Sequence, residues 1–175
     1  GAQLTTSPPL AEATLAERDR RALAAIEGYR RTAAVEGGVT GAGGFWMSVA
    51  DFPALLVIKM KLLFELAAIY GHDAEAFPER LYLLQIFQLA FSAGERRAEL
   101  LSAIEAWDRQ THPADFADFD WRRFQIEYRD HIDLAKLAQM LPVVGAPVGA
   151  VVNWRLTQRL GETAMNSYRM RWFAR

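Results

Sequence analysis

The sequence predicts an all-α, single-domain bundle of about six helices, and three observations carry that prediction. Apolar residues recur at helical spacing, prolines and glycines fall where helices would begin and end, and no segment shows the strict alternation of a half-buried strand. The expected bundle has a central, almost wholly apolar helix and glycine-mediated close packing between helices.

The first helix is expected over about residues 9–35. Pro8 and Pro9 after Ser7 suit a helix start, and Leu15, Leu23, Ile26 and Tyr29 fall near one face. Residues 1–8 read as a flexible N-terminus, with Gly1 and Ala2 fitting a cloning remnant, and 9–175 as one helical domain. Asp51 followed by Pro53 predicts an N-cap with proline in the first turn, and Gly71 a stop, for a second helix over about 52–70. Pro78 opens a third helix, "PERLYLLQIFQLAFS", which Gly94 is expected to close. A more polar fourth helix, "ERRAELLSAIEAWDRQ", leads into the turn "THPADFADFD". Asp118 or Asp120 can cap a fifth helix over about Trp121–Leu141, ended by Pro142. The last helix, about 146–172, finishes with Arg169, Arg171 and Arg175, cations that suit a helix C-terminus.

With 175 residues, 51% of them hydrophobic, the chain has enough material for one core. Twenty basic residues against 21 acidic ones leave a net charge of -1, so no global field points to nucleic acid. The absence of cysteine excludes disulfides, thiolate nucleophiles and cysteine metal sites. The start, "GAQLTTSPPL", lacks the pattern of a signal peptide.

Residues 37–44 hold five glycines, 37, 38, 41, 43 and 44. A P-loop needs Gly-Lys-Ser/Thr, whereas Gly44 is followed by Phe45 and Trp46; the dinucleotide pattern needs a glycine where Trp46 stands. Gly37 with Gly41, Gly44, and Gly145 with Gly149 instead have the small-residue spacing that lets helices approach closely.

The three histidines, His72, His112 and His131, are not at i, i+4 from one another, and no metal or other cofactor is expected. His72 with Asp73 and His131 with Asp133 could each pair a base with a carboxylate, but such pairs arise by chance among this many acids, and polar groups in a turn and on a helix surface are the expectation. In the second helix only Asp51, Lys59, Lys61 and Glu65 interrupt the apolar residues; Lys61 can pair with Glu65 on its own helix. Pairs between helices, such as Glu65 with Arg155 or Lys59 with Glu162, are the structural expectation. Asp51, Lys59, Glu65, Asp73, Glu79, Arg80 and Lys136 form the expected polar cluster.

The uncharged runs 37–50, 81–94 and 140–154 fall short of the ~20 residues a spanning helix needs, but they suit interfacial helices. Phe45, Trp46, Trp154, Arg155, Arg169 and Arg171 are the candidates for contact with lipid or a partner, aromatic side chains at headgroup depth beside cations.

"TGAGGFWMSVADFPALL", "YGHD" followed by "PERLYLL", and "DLAKLAQMLPVVGAPVGAVVNWRLTQRLGETAMNSYRMR" together resemble the EcsC protein family, from about Val35 to Arg171. The matching positions include the five glycines, Asp51, Tyr70, Gly71, Asp73, Glu79, Arg80, Lys136, Pro142, Gly145, Gly149 and Asn153. The resemblance implies an α-helical bacterial protein, intracellular or membrane-associated, named for an association with an ABC-transporter operon; it supplies no catalytic residues. The expected function is accordingly non-enzymatic: binding of a lipid, an acyl chain or a membrane-protein partner such as a transporter, at the cytoplasmic side of the inner membrane. The alternatives are a hydrolase-type small-molecule enzyme using an Asp/Glu/His cluster, and a soluble homodimeric interaction module.

Overall fold

A computed structural model describes residues 7–42, 44–114 and 146–174, with the side chains of 37–55 and 146–149 outside the description. These residues form five α-helices: α1 (Leu15–Ala42), α2 (Gly44–Ile69), α3 (Phe77–Phe91), α4 (Gly94–Glu105) and α5 (Ala146–Phe173), with one 3-10 turn at Trp107–Arg109. No strand occurs among them.

The long helices α1 and α5 pack antiparallel and share the most extensive interface, with α2 against both and α3 closing over α5. Asp19 meets Arg169, Ile26 meets Gly161 and the Ala33 carbonyl meets Asn153, which fixes the antiparallel register. The inward stripe of α1 is Arg18, Ala22, Ile26 and Ala33, the spacing of one helical face. Leu23, expected inside, is 52% exposed.

Between α1 and α5 the helices come unusually close at Gly161. A Cβ built there would lie 2.5 Å from Ile26 Cγ1, so glycine is what allows the approach. Around this seam Leu62, Leu63, Leu66, Leu83 and Ile86 are fully buried, each worth about 1.5–3 kcal/mol relative to exposure.

Three boundaries differ from the sequence expectation. Helix α1 starts at Leu15 rather than near residue 9, because Thr14 caps it: its Oγ1 accepts from Glu17 N at 3.3 Å. Residues 7–13, ahead of the cap, form an irregular strap, tied by Leu10 N donating to Ala68 O at 2.8 Å. Helix α1 then runs through the glycines to Ala42, past its expected end. Helix α2 begins at Gly44, so Asp51 lies inside it and is not its N-cap; Pro53 sits in the helix interior, where it leaves one carbonyl without its helical donor.

Gly71 does end α2. It takes φ +85°, and Gly71 N and His72 N donate back to Ala68 O and Ala67 O at 3.0 and 2.9 Å, a left-handed cap that favours glycine. Gly94, expected to end the third helix, opens α4 instead with φ +56°; α3 stops at Phe91. The expected fifth helix, Lys136, His131, Asp133, Pro142 and Gly145 lie outside the described residues.

Candidate functional site

Among the described residues, two buried polar assemblies and one exposed end carry the sequence-predicted site residues. The larger assembly sits where the start of α3 meets the end of α5. Glu79, 6% exposed, accepts from Tyr168 Oη at 2.6 Å and from Arg171 at 2.9 and 3.2 Å. His72 Nδ1 approaches the same carboxylate at 3.5 Å. Arg171 forks onward to Asp108 at 2.7 Å and lies over the Tyr82 ring at 4.5 Å.

Aromatic rings wall this assembly. Tyr70 stacks on Tyr168 with centroids 5.4 Å apart, Tyr82 meets Tyr168 edge-on at 5.5 Å, and Trp107 lies 5.1 Å from Tyr82. Burial raises the pKa of Tyr168 well above the usual tyrosine value, and Glu79 raises it further. Burial would lower that of Arg171, but Asp108 and Glu79 more than offset it and hold the guanidinium charged. Next to it, burial pushes the Asp19 carboxyl up, while hydrogen bonds from Arg169 and Tyr70 and the charge of Arg169 bring it below the ordinary value. Both Glu79 oxygens are engaged by Arg171, and Tyr168 shares one of them, so the assembly locks α3 to α5 rather than offering a free acid or base.

The second assembly is the seam of α1, α2 and α5. Lys59, 7% exposed, donates from Nζ to Asn153 Oδ1 at 2.8 Å, and Asn153 Nδ2 donates to Ala33 O at 2.9 Å. Burial lowers the Lys59 pKa to about 8, with Glu36 partly opposing. One turn further along α5, Thr157 Oγ1 is buried without a partner.

These placements redraw the expected polar cluster. Lys59 meets Asn153 rather than Glu162, which accepts from Gln158. Glu65 lies beside Tyr29, whose hydroxyl burial and then the Glu65 carboxylate push up to about 12, and makes no ion pair with Lys61 or Arg155. His72 faces Glu79 rather than Asp73, whose carboxylate accepts from Glu75 N at 2.8 Å as a turn lock. Arg80 donates to Ala74 O, holding the same turn. His112 stacks on Trp107 at 3.6 Å. Among the described residues no group of three or more His, Asp or Glu side chains is placed to hold a metal ion.

Arg169 and Arg171, read from sequence as cations facing a membrane, are engaged within the fold by Asp19, Glu79 and Asp108. Sequence reasoning missed Arg18, Asp19, Asp108 and Tyr168. Arg18 donates to the carbonyls of Leu10, Ala11, Ala13 and Ile69 and lies over Trp172, so it fastens the strap and the end of α2 to α5. Its signal was legible: a charge at the head of the inward stripe of α1.

The exposed end lies where α1 nears Ala42 and α5 begins. Val35 and Val151 are 69% and 50% exposed there, Arg155 faces solvent, and Trp154 is half-buried with the Arg30 guanidinium 4.0 Å above its ring. The side chains of Phe45, Trp46, Gly37, Gly41, Gly44 and Gly149 belong to segments outside the side-chain description. No described helix is long and apolar enough to cross a membrane.

A family model described as the EcsC protein family matches residues 2–173. The chain is 49% identical over 158 residues to Protein EcsC of Bacillus subtilis (strain 168), covering 90% of this chain and 65% of that protein. It is 32% identical over 148 residues to a protein named YdbA of the same strain, itself described as uncharacterized, covering 82% of this chain and 54% of that one. The chain thus spans less than two thirds of the curated relatives it matches. No solved structure matches.

Proposed function

The chain belongs to the EcsC protein family, and on that premise we propose that it is a non-enzymatic helical protein acting at the cytoplasmic face of a membrane, binding lipid or a membrane-protein partner through one end of the α1–α5 pair. The observation that carries the reading is the composition of that end. Val35 and Val151 stand exposed beside Arg155 and the half-buried Trp154. Apolar side chains next to cations match the two contributions that hold a protein on an anionic bilayer, burial of apolar area and attraction to headgroups.

The internal engagement of Arg169 and Arg171 moves the proposed contact away from the C-terminal end of α5. An enzymatic role finds less support, because Glu79 and Asp73 both have structural partners.

Vesicle sedimentation at low salt tests the reading. Binding is expected with anionic lipid and weakened by salt, with Arg155→Glu reducing it roughly tenfold and Val151→Asp reducing it further. Quenching by brominated lipid should be smaller in Trp154→Phe than in the wild type. Failure to sediment with any vesicle, with or without anionic lipid, would overturn the proposal.

A further inference from the structure

An open groove of about 700 Å³ runs between α1 and α2, within the usual size range of a small-molecule site. Leu10, Ala24, Ala25, Ala68 and Ile69 give it apolar walls, and Tyr29 and Glu65 place a hydroxyl and a carboxylate among them.

Gly28 lines the groove in the middle of α1, and nothing about the backbone calls for glycine there. A Cβ at that position would meet nothing within 4 Å, and its φ is not positive. A mid-helix glycine weakens a helix relative to alanine. What it provides is room. Glu65 is the second observation. Its carboxylate lies beside the Tyr29 hydroxyl, whose pKa burial and then Glu65 raise to about 12, yet it makes no ion pair among the described residues. Arg21 lines the same groove but is paired with Glu17, and Arg30 and Arg31 further along that helix are paired with Glu27. With Arg21 neutralised by Glu17, the half-buried Glu65 carboxylate is the unbalanced charge among the described residues lining the groove, an environment that favours a positive guest.

We infer that this groove binds an aliphatic ammonium ion, with Glu65 accepting the cationic head and the space left by Gly28 admitting the alkyl chain. The Tyr29 hydroxyl stands beside the same carboxylate in the groove wall. None of these residues belongs to the Val35–Val151 surface, so this inference and the membrane reading can fail separately.

Calorimetric titration with hexylammonium tests it, with hexanoate as the control of opposite charge. Hexylammonium should bind and hexanoate should not. Glu65→Gln should weaken binding roughly tenfold or more, as loss of a charged hydrogen-bond acceptor does, and Gly28→Leu should block it, each variant being checked for an unchanged fold by thermal melting. Should Gly28→Leu fail to fold, Ala24→Leu narrows the same wall from an exposed position. A parallel arm uses zwitterionic vesicles with and without phosphatidylethanolamine. Glu65-dependent vesicle binding without hexylammonium binding supports the site and assigns the amine to a lipid headgroup, whereas hexylammonium binding alone assigns it to a soluble amine. No binding in either arm, or binding that Glu65→Gln and the groove-filling variant leave unchanged, would overturn the inference.

Discussion

Two arginines two positions apart on α5 have different surroundings and should behave differently. The side chains of Arg171 and its partner Glu79 are 11% and 8% exposed, whereas those of Arg169 and Asp19 are 35% and 19% exposed. Removing one member of a buried pair strands the other's charge and typically costs about 3–5 kcal/mol, while an exposed pair is worth about 0–1 kcal/mol. Glu79→Ala is therefore expected to lower the melting temperature sharply, and Arg169→Ala only slightly. Thermal melts of the two variants check the order. A mild Glu79→Ala would mean that Asp108 and the Tyr82 ring suffice to hold Arg171, contrary to the account of Glu79 as the hub.

At the scale of elements, the two mid-helix glycines make opposite predictions. Gly161→Ala drives a methyl into Ile26, and overpacking costs about 1–3 kcal/mol, against which the better helix propensity returns about 1 kcal/mol. Gly28→Ala enters open space and should stabilise by about 0.4–1 kcal/mol. Denaturant titrations of both, with Ile26→Val added to Gly161→Ala, check this; the double variant should recover part of the loss, since touching residues are not additive. Sequence alone pointed to glycine contacts but at other positions, because Gly145 and Gly149 show the small-xxx-small spacing while Gly161 stands alone beside Leu160. What identifies Gly161 is the antiparallel register of α1 and α5, a long-range property that no local spacing encodes. The Gly71 cap was legible because a left-handed cap is local chemistry. The start of α2 was not: Asp51 and Pro53 are the residues of a helix start, yet the helix already begins at Gly44 and runs through them. The Glu79 assembly was half legible, since Glu79 and His72 stood out on the sequence, while Asp108 and Tyr168 come from elements far along the chain.

For the whole molecule, the buried polar groups predict how stability varies with pH. Lys59 titrates at about 8 in the folded protein against 10.5 ordinarily, because burial disfavours its charge. The folded state therefore binds fewer protons than the unfolded chain between those values, and stability must rise with pH across that window; below about 8 the cost of the buried charge is fully present. From about pH 7 to 9.5 the gain is on the order of 2 kcal/mol. Above about 10 the trend reverses, because Tyr70, Tyr82 and Tyr168 have pKa values raised chiefly by burial, and the unfolded chain releases protons that the fold retains. At the acid end Asp19, held below its usual range, contributes stability above the ordinary carboxylate pKa that is lost as pH falls through its folded value. Lys59→Met should remove the alkaline rise while leaving the decline above pH 10 and the acid loss in place. Asn153 Oδ1 loses its donor in that variant, so the comparison rests on the shape of the curve and not its height. Urea titrations of both proteins at half-unit steps from about pH 6 to 10.5 check it. An equally steep rise in Lys59→Met would assign the proton release to another group.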